Sequence, residues 1–395
     1  MLKRVEVKSF KSLEDVSVDL GLVNVFIGAN GSGKSNLLEA IGVLGAAAAG
    51  RVDDEGLLRR GVRPGVPALY KSSFRHDRIR DAIRFGGFND QASYEVELNN
   101  PNENPKPSWD FKTEKLIADG VKIVGRSPAS TDFRSLNSEA GLAALKTVEL
   151  PPESASNRLL TLLREYAIYA PNTATLRGLV PDPQTREPAG LSGGRLADAV
   201  DELNKLAPGN EFYEGVQDDL LELIDWVGAF GSKEAHKVPL SPSIPRQRQT
   251  LFFRDRYMAE KRNELSAYDA SEGALYVLFA AVAATHPNAP KLLAIDNVDS
   301  GLNPRLVRSL MERLCNWVLE QSVRQLLFTC HNPSVLDGLP LQDDRVRLFA
   351  VDRTSNGKTV IHRVVVDDNL LAKAKEGWPL SRLWVAGHIG GVPNV

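Results

Sequence analysis

The sequence predicts an α/β fold, a mixed sheet flanked by helices, whose two halves are separated by a long insertion. Three observations predict it. The apolar run Val23-Asn24-Val25-Phe26-Ile27 passes through Gly28-Ala29-Asn30-Gly31-Ser32-Gly33-Lys34-Ser35 into a segment with Leu37, Leu38, Ile41 and Leu44 on one face. That is a strand, a phosphate-binding loop of the pattern G-x-x-x-x-G-K-[ST] and a helix, in the order such a site requires. Far downstream, residues 291–295 read as a buried strand ending in Asp296, and residues 325–329 as another, with a helix from Pro304 to about Gln321 between them. Finally, 395 residues are long for one domain, and the stretch between the two halves holds its own helical segments.

The phosphate loop has a direct chemical reading. Its glycines let backbone N–H groups turn inward around phosphate oxygens, and the following helix adds its positive end. Asn30, Gly31, Ser32, Gly33, Lys34, Ser35 and Asn36 are therefore the candidate ATP-contacting residues. Lys34 would reach the β- and γ-phosphates, and Ser35 would be a Mg²⁺ ligand. The competing reading is a glycine-rich turn without a ligand.

Composition narrows the class. At 43% hydrophobic and 25% charged residues, the chain has ample material for a globular core. A formal net charge of −2 supplies no global field to recruit nucleic acid. No apolar run reaches the ~18 residues of a membrane span. The first residues read as a strand and not as a leader peptide, so the expected location is cytoplasmic. Two cysteines, Cys315 and Cys330, are too few for a disulfide framework or a zinc site.

In chain order, residues 2–7 and 16–20 read as strands leading into the phosphate-loop strand. Lys11 follows the first of them, placed either near the nucleotide or in a solvated turn. Residues 56–84 carry eight cations (Arg59, Arg60, Arg63, Lys71, Arg75, Arg78, Arg80, Arg84) against Asp77 and Asp81. They form either a polyanion-binding patch or a solvated loop. Residues 82–85 and 93–98 look like strands of a small sheet, and 101–107 like a loop. The expected division is 1–119 for the first half of the core, 120–260 for the insertion and 261–395 for the second half. Helices are expected at about 157–166, 195–206 and 212–230. Ser271-Glu272-Gly273 opens an apolar helix before the Asp296 strand. Residues 346–351 and 359–365 suggest a closing hairpin around Ser355-Asn356-Gly357.

The series Gly28–Ser35, Ser271-Glu272-Gly273, the strand ending in Asp296, Ser300-Gly301-Leu302-Asn303-Pro304 and Thr329-Cys330-His331-Asn332 resembles the ABC ATPase superfamily. The branch is that of the SMC/RecF/OLD-like soluble ATPases, many of which serve prokaryotic anti-phage defence or toxin–antitoxin-like operons. The matched motifs cover about residues 1–45 and 265–340; the middle matches loosely, including Tyr169-Ala170-Pro171-Asn172. The resemblance implies an ABC-type head with an insertion between the phosphate loop and the signature. It also implies an ATP–Mg²⁺ site and closure as a head-to-tail homodimer. Ser271 and Gly273 would then contact the γ-phosphate held by the other protomer. Asp296 would hold Mg²⁺, Ser300 and Gly301 would form a loop across the dimer, and His331 would sense the γ-phosphate. A separate effector protein is implied, because only about sixty residues follow His331, with no acidic cluster beyond Asp367-Asp368. The tail Trp378–Trp384 reads as a docking segment or a helix packed on the core.

Three points depart from the family pattern. Leu191-Ser192-Gly193-Gly194-Arg195 looks like a second signature, but it lies too far before Asp296 and is read as a loop and helix cap. The family's Q-loop glutamine has no assigned position in this sequence; Gln91 and Gln184 are candidates only. Most tellingly, the residue after Asp296 is Asn297 where the family carries a catalytic Glu. An amide cannot accept a proton, so hydrolysis is expected to be slow or to use Asp299. The alternatives carried alongside are a RecF-like DNA-maintenance ATPase and a non-hydrolysing, ATP-gated scaffold.

Overall fold

In the computed structural model, which describes residues 1–75, 80–127, 137–245, 247–365 and 378–391, the chain opens with two strands. β1 (Arg4–Phe10) and β2 (Leu13–Asp19) alternate buried and exposed positions, as a sheet with one wet face demands. β3 (Val23–Ile27) is buried at all five positions, because layers cover both its faces. It feeds α1 (Lys34–Ala48), followed by the short α2 (Asp54–Leu58) and α3 (Pro67–Tyr70). Four antiparallel strands come next: β4 (Ala82–Phe88), β5 (Ala92–Asn99), β6 (Asp110–Ala118) and β7 (Val121–Arg126).

The middle of the chain supplies α4 (Leu142–Lys146), α5 (Ala155–Glu165), β8 (Ala167–Tyr169), α6 (Thr173–Leu176), α7 (Leu196–Leu206) and α8 (Glu211–Leu223). β9 (Val227–Glu234), β10 (Gln249–Asp255) and β11 (Glu264–Ser266) form a separate three-stranded sheet. The remainder is α9 (Glu272–Thr285), β12 (Leu292–Ile295), α10 (Pro304–Gln321), β13 (Gln325–Cys330), β14 (Val346–Arg353), β15 (Thr359–Val364) and α11 (Leu380–Val385).

The central sheet runs β15-β14-β3-β13-β12-β8, parallel except for β15. The second large sheet is antiparallel, in the order β2-β1-β4-β5-β6-β7. Alternate residues of the central strands enter two different cores. Val25, Ile27, Ile295 and Phe328 pack with α9 and α10, whereas Phe26, Ala294 and Leu327 pack with α1, α5 and the antiparallel sheet. Parallel pairing also aligns the strand ends. Gly28 after β3, His331 after β13 and Asp296 after β12 emerge on one edge, where ligands bind in open α/β sheets.

Several elements differ from expectation. β8, inside the expected insertion, is the edge strand of the central sheet, and the β6–β7 hairpin runs through residues 119 and 120. The helix expected over 212–230 stops at Leu223. Beyond it β9 pairs with β10, and Gly228 and Gly231, poor helix formers, fall within that strand. Strands 82–85 and 93–98 belong to the six-stranded antiparallel sheet and not to a small one. The tail helix packs on the core, with Leu383 and Trp384 buried and the Ser381 hydroxyl donating to Asp337 at 2.6 Å. Arg78, Asp77 and the pair Asp367-Asp368 lie outside the described residues.

Candidate functional site

The phosphate loop is shaped by backbone that only glycine takes without strain. Gly33 has φ 113°, and a Cβ there would sit 2.2 Å from the Thr359 hydroxyl. That hydroxyl instead donates to the Ser32 carbonyl at 2.6 Å and contacts the Ser12 hydroxyl at 2.7 Å. Asn36 Nδ2 donates to Ser12 Oγ at 2.8 Å. The β1–β2 turn and β15 thus clamp the loop from one flank. Asn30 and Gly31 form its exposed tip, where a Cβ on Gly31 would meet nothing within 4 Å. The Ser32 hydroxyl is buried without a partner among the described residues. Lys34 Nζ donates to the carbonyls of Gly28 at 2.7 Å and Ala29 at 3.0 Å. Burial pulls this ammonium below its usual pKa, against the opposing influence of Cys330, Asp296 and Asp299.

The other flank carries the acid, the amide and the imidazole. Ser35 Oγ lies 3.1 and 3.0 Å from the two oxygens of Asp296, and Thr329 Oγ1 donates to the same carboxylate. Asn297 adopts φ 55°, a left-handed conformation that Asn tolerates better than most residues, and its N–H donates to Thr329 Oγ1 at 2.8 Å. Asp299 Oδ2 accepts from the backbone N–H groups of His331 at 2.8 Å and Asn332 at 2.5 Å. Asp299 therefore fastens the turn that presents His331. His331 Nδ1 is 3.4 Å from Lys34 Nζ, and partial burial together with that ammonium pushes the imidazole below its ordinary pKa. The neutral form is the one that can accept from Lys34.

A hydroxyl beside a carboxylate is an all-oxygen set that suits a hard divalent cation, with phosphate oxygens and water completing it. The inward glycines, the unpartnered Ser32 hydroxyl and Lys34 suit a triphosphate. The structure thus brings together Asn30 to Asn36, Asp296, Asn297, Asp299 and His331. Ser271 and Gly273 belong to another place. Ser271 Oγ accepts from Ala274 N at 3.3 Å as the cap of α9, and Gly273 lies against Gly301. Both line a cavity of about 650 Å³ with Gly301, Asn303, Arg305 and Arg313. None of residues 28–36 lines it among the described residues.

Some residues were illegible from sequence. Glu39, on α1 and 3% exposed, pairs with Lys11 and accepts from Arg63 Nε at 2.6 Å. Burial alone would raise its carboxyl, but the Arg63 hydrogen bond and Lys11 outweigh it and hold the pKa below the usual range. Lys11 is thus held by a buried carboxylate and is not a freely solvated turn residue. Other cations of 56–84 are likewise engaged. Arg60 donates to the Gly56 and Arg164 carbonyls, Lys71 to the Asn100 carbonyl, and Arg59 and Arg84 meet Glu55 and Glu95. Neither a polyanion patch nor a solvated loop describes the buried Arg60 and Lys71.

The second signature-like stretch is a loop held from within. Asp182 Oδ2 accepts from Ser192 N at 2.9 Å and Gly194 N at 3.1 Å, filling the anion slot that the two glycines create. The following helix begins at Leu196 without a side-chain cap, correcting the expected capping role. Gln91 accepts from Arg158 at a surface turn, and the Gln184 carbonyl accepts from Leu191 N. The position beside Asp296 on that side is held by Tyr169, whose carbonyl accepts from Asp296 N at 2.9 Å.

A family described as "AAA domain, putative AbiEii toxin, Type IV TA system" matches residues 23–337. The chain is 36% identical over 102 residues to the DNA replication and repair protein RecF of Renibacterium salmoninarum, covering 25% of this chain and 22% of that protein. It is 49% identical over 41 residues to the OLD nuclease of Thermus scotoductus, covering 10% and 8% respectively. The match thus spans less than a quarter of the length of either relative. A solved SMC head bound to the C-winged helix domain of ScpA superposes with a TM-score of 0.54 at 11% identity, covering 94% of this chain and 99% of that one. At that identity the likeness concerns the fold alone.

Proposed function

The chain belongs to this AAA-domain family and is an ABC-superfamily ATPase of the SMC/RecF/OLD type; from that premise we propose an ATP–Mg²⁺ switch that closes as a head-to-tail homodimer and controls a separate effector protein. Lys34 and the N–H groups of residues 30–34 hold the phosphates, and Ser35 and Asp296 hold Mg²⁺. When bound, the cation neutralises developing charge on the phosphate oxygens. Asn297 orients water without accepting its proton, so hydrolysis is slow. His331, placed by Asp299, reads the phosphate end through Lys34. Ser271 and Gly273 act on the nucleotide of the second copy. The family description, "AAA domain, putative AbiEii toxin, Type IV TA system", supports a place in a toxin–antitoxin-like defence system.

The observation that carries this reading is the separation of two complementary half-sites. The phosphate loop meets Asp296 and His331 within one chain, while Ser271, Gly273 and Gly301 open into a different cavity. A single chain therefore leaves the signature side of the site uncompleted. Sedimentation tests it. The wild-type protein should be monomeric alone and dimeric with ATP and Mg²⁺, and Ser271→Arg should bind ATP yet stay monomeric. ATP-dependent assembly that survives Ser271→Arg would reject the role of the signature.

A second reading, a DNA-maintenance ATPase, draws on the similarity to RecF over a quarter of the chain. The burial of Arg60 and Lys71, whose side chains bind backbone carbonyls, weakens it. Salt-dependent binding to duplex DNA at physiological ionic strength would favour it.

A further inference from the structure

The phosphate loop has two unlike flanks. On the β13–β12 side stand His331, Asp296 and Thr329, where the ATP–Mg²⁺ reading puts the terminal phosphate and the cation. On the β15 side stand Ser12, Asn36 and Thr359, neutral groups that bind one another and the loop. Because the terminal phosphate belongs to the first flank, the nucleoside leaves over the second.

Directly before Thr359, the β14–β15 turn carries Gly357 and Lys358, and against them lies Phe74. A Cβ on Gly357 would come 3.7 Å from the Phe74 ring, and Lys358 Nζ stands 5.4 Å from the ring centroid. Phe74 is only half-buried and belongs to neither hydrophobic core. A large aromatic ring outside both cores among the described residues, beside a glycine and a cation, offers a surface suited to stacking a planar base.

We propose that Phe74, supported by Gly357 and Lys358, is the platform on which the nucleotide base stacks. The assignment rests on the ATP–Mg²⁺ reading of the phosphate loop and adds its nucleoside end. Stacking on a ring reads the area of the π-face, so the site prefers purine to pyrimidine triphosphates.

The test compares a ligand with a base to one without. Binding of ATP and of inorganic tripolyphosphate, each with Mg²⁺, is measured by calorimetry for wild type, Phe74→Leu and Phe74→Ala. The leucine variant keeps apolar bulk and guards against simple collapse of the turn. Both variants should lose about 5- to 150-fold in ATP affinity while tripolyphosphate binding is unchanged. CTP should bind more weakly than ATP to the wild type, and the two should converge in the variants. Unchanged ATP affinity would overturn the proposal, and so would a parallel loss of tripolyphosphate binding, which would mark Phe74 as a support for the loop. A wild type that binds neither ligand would instead sink the phosphate-loop reading, and this assignment with it.

Discussion

Ser35 and Asp296, 261 residues apart in the chain, meet hydroxyl to carboxylate at 3.0 and 3.1 Å. The contact spans β13, because β3 and β12 are not neighbours in the sheet. It exists only when both halves of the core fold onto one sheet edge. On the proposed function, nucleotide binding would report on the integrity of residues 28–36 and 292–331 together.

Lys34→Ala removes a buried ammonium whose partners are two loop carbonyls and the His331 imidazole, and Lys34 belongs to neither hydrophobic core. Losing hydrogen bonds from a charged donor to phosphate costs about 1.5–3 kcal/mol each, or roughly 10- to 150-fold in affinity. The variant should keep its thermal midpoint and lose ATP binding by calorimetry. Tight ATP binding by a folded Lys34→Ala protein would contradict the placement of the phosphates.

Asn297 and Asp299 are separable by chemistry. A missing general base costs about 10²–10⁴-fold in rate, so Asn297→Glu should raise turnover, less a strain of about 1 kcal/mol for Glu at φ 55°. Asp299→Ala is ambiguous, because it also frees the His331 turn. Asp299→Asn retains an oxygen acceptor for both N–H groups but cannot serve as a base. Steady-state ATPase assays should find Asp299→Asn close to wild type. A collapse of rate in that variant, with Asn297→Ala unaffected, would make Asp299 the base.

His331 supplies a pH signature. Partial burial and the charge of Lys34 depress its pKa below about 6.5, so the folded protein keeps it neutral where the unfolded chain is already protonated. Its effect on stability is absent above about pH 6.5 and appears as a loss while pH falls from there towards the depressed folded value. Lys34→Ala should move the His331 titration upward. NMR titration of the imidazole in both proteins reads this directly, and identical curves would contradict the Lys34–His331 coupling.

Legibility from sequence followed local chemistry. α10 was readable from Pro304, which suits a first helical turn, to Gln321, where the helix ends; the Asn303 cap appears only in the structure. β3, β12 and β13 were readable as short apolar runs bounded by polar turns. Three-residue β8 carries no periodicity of its own, so only its pairing with β12 makes it a core strand. Glu39 sits on α1 between apolar neighbours and gave no hint that Lys11 and Arg63 would converge on it from two other elements. Likewise, Asp182 and the Gly193-Gly194 loop are separated by a bend that no local pattern encodes. What stayed hidden was contact between segments distant in the chain and weak in propensity.

The central claim, that each nucleotide is completed by the signature of a second copy, is tested most directly by mixing two dead variants. Lys34→Ala keeps an intact Ser271 loop, and Ser271→Arg keeps an intact phosphate loop. Each alone should show neither ATP-dependent dimers nor turnover. Mixed in equal amounts with ATP and Mg²⁺, they should form heterodimers with one competent site, and ATPase activity should reappear. A mixture as inactive and monomeric as its components would contradict the account.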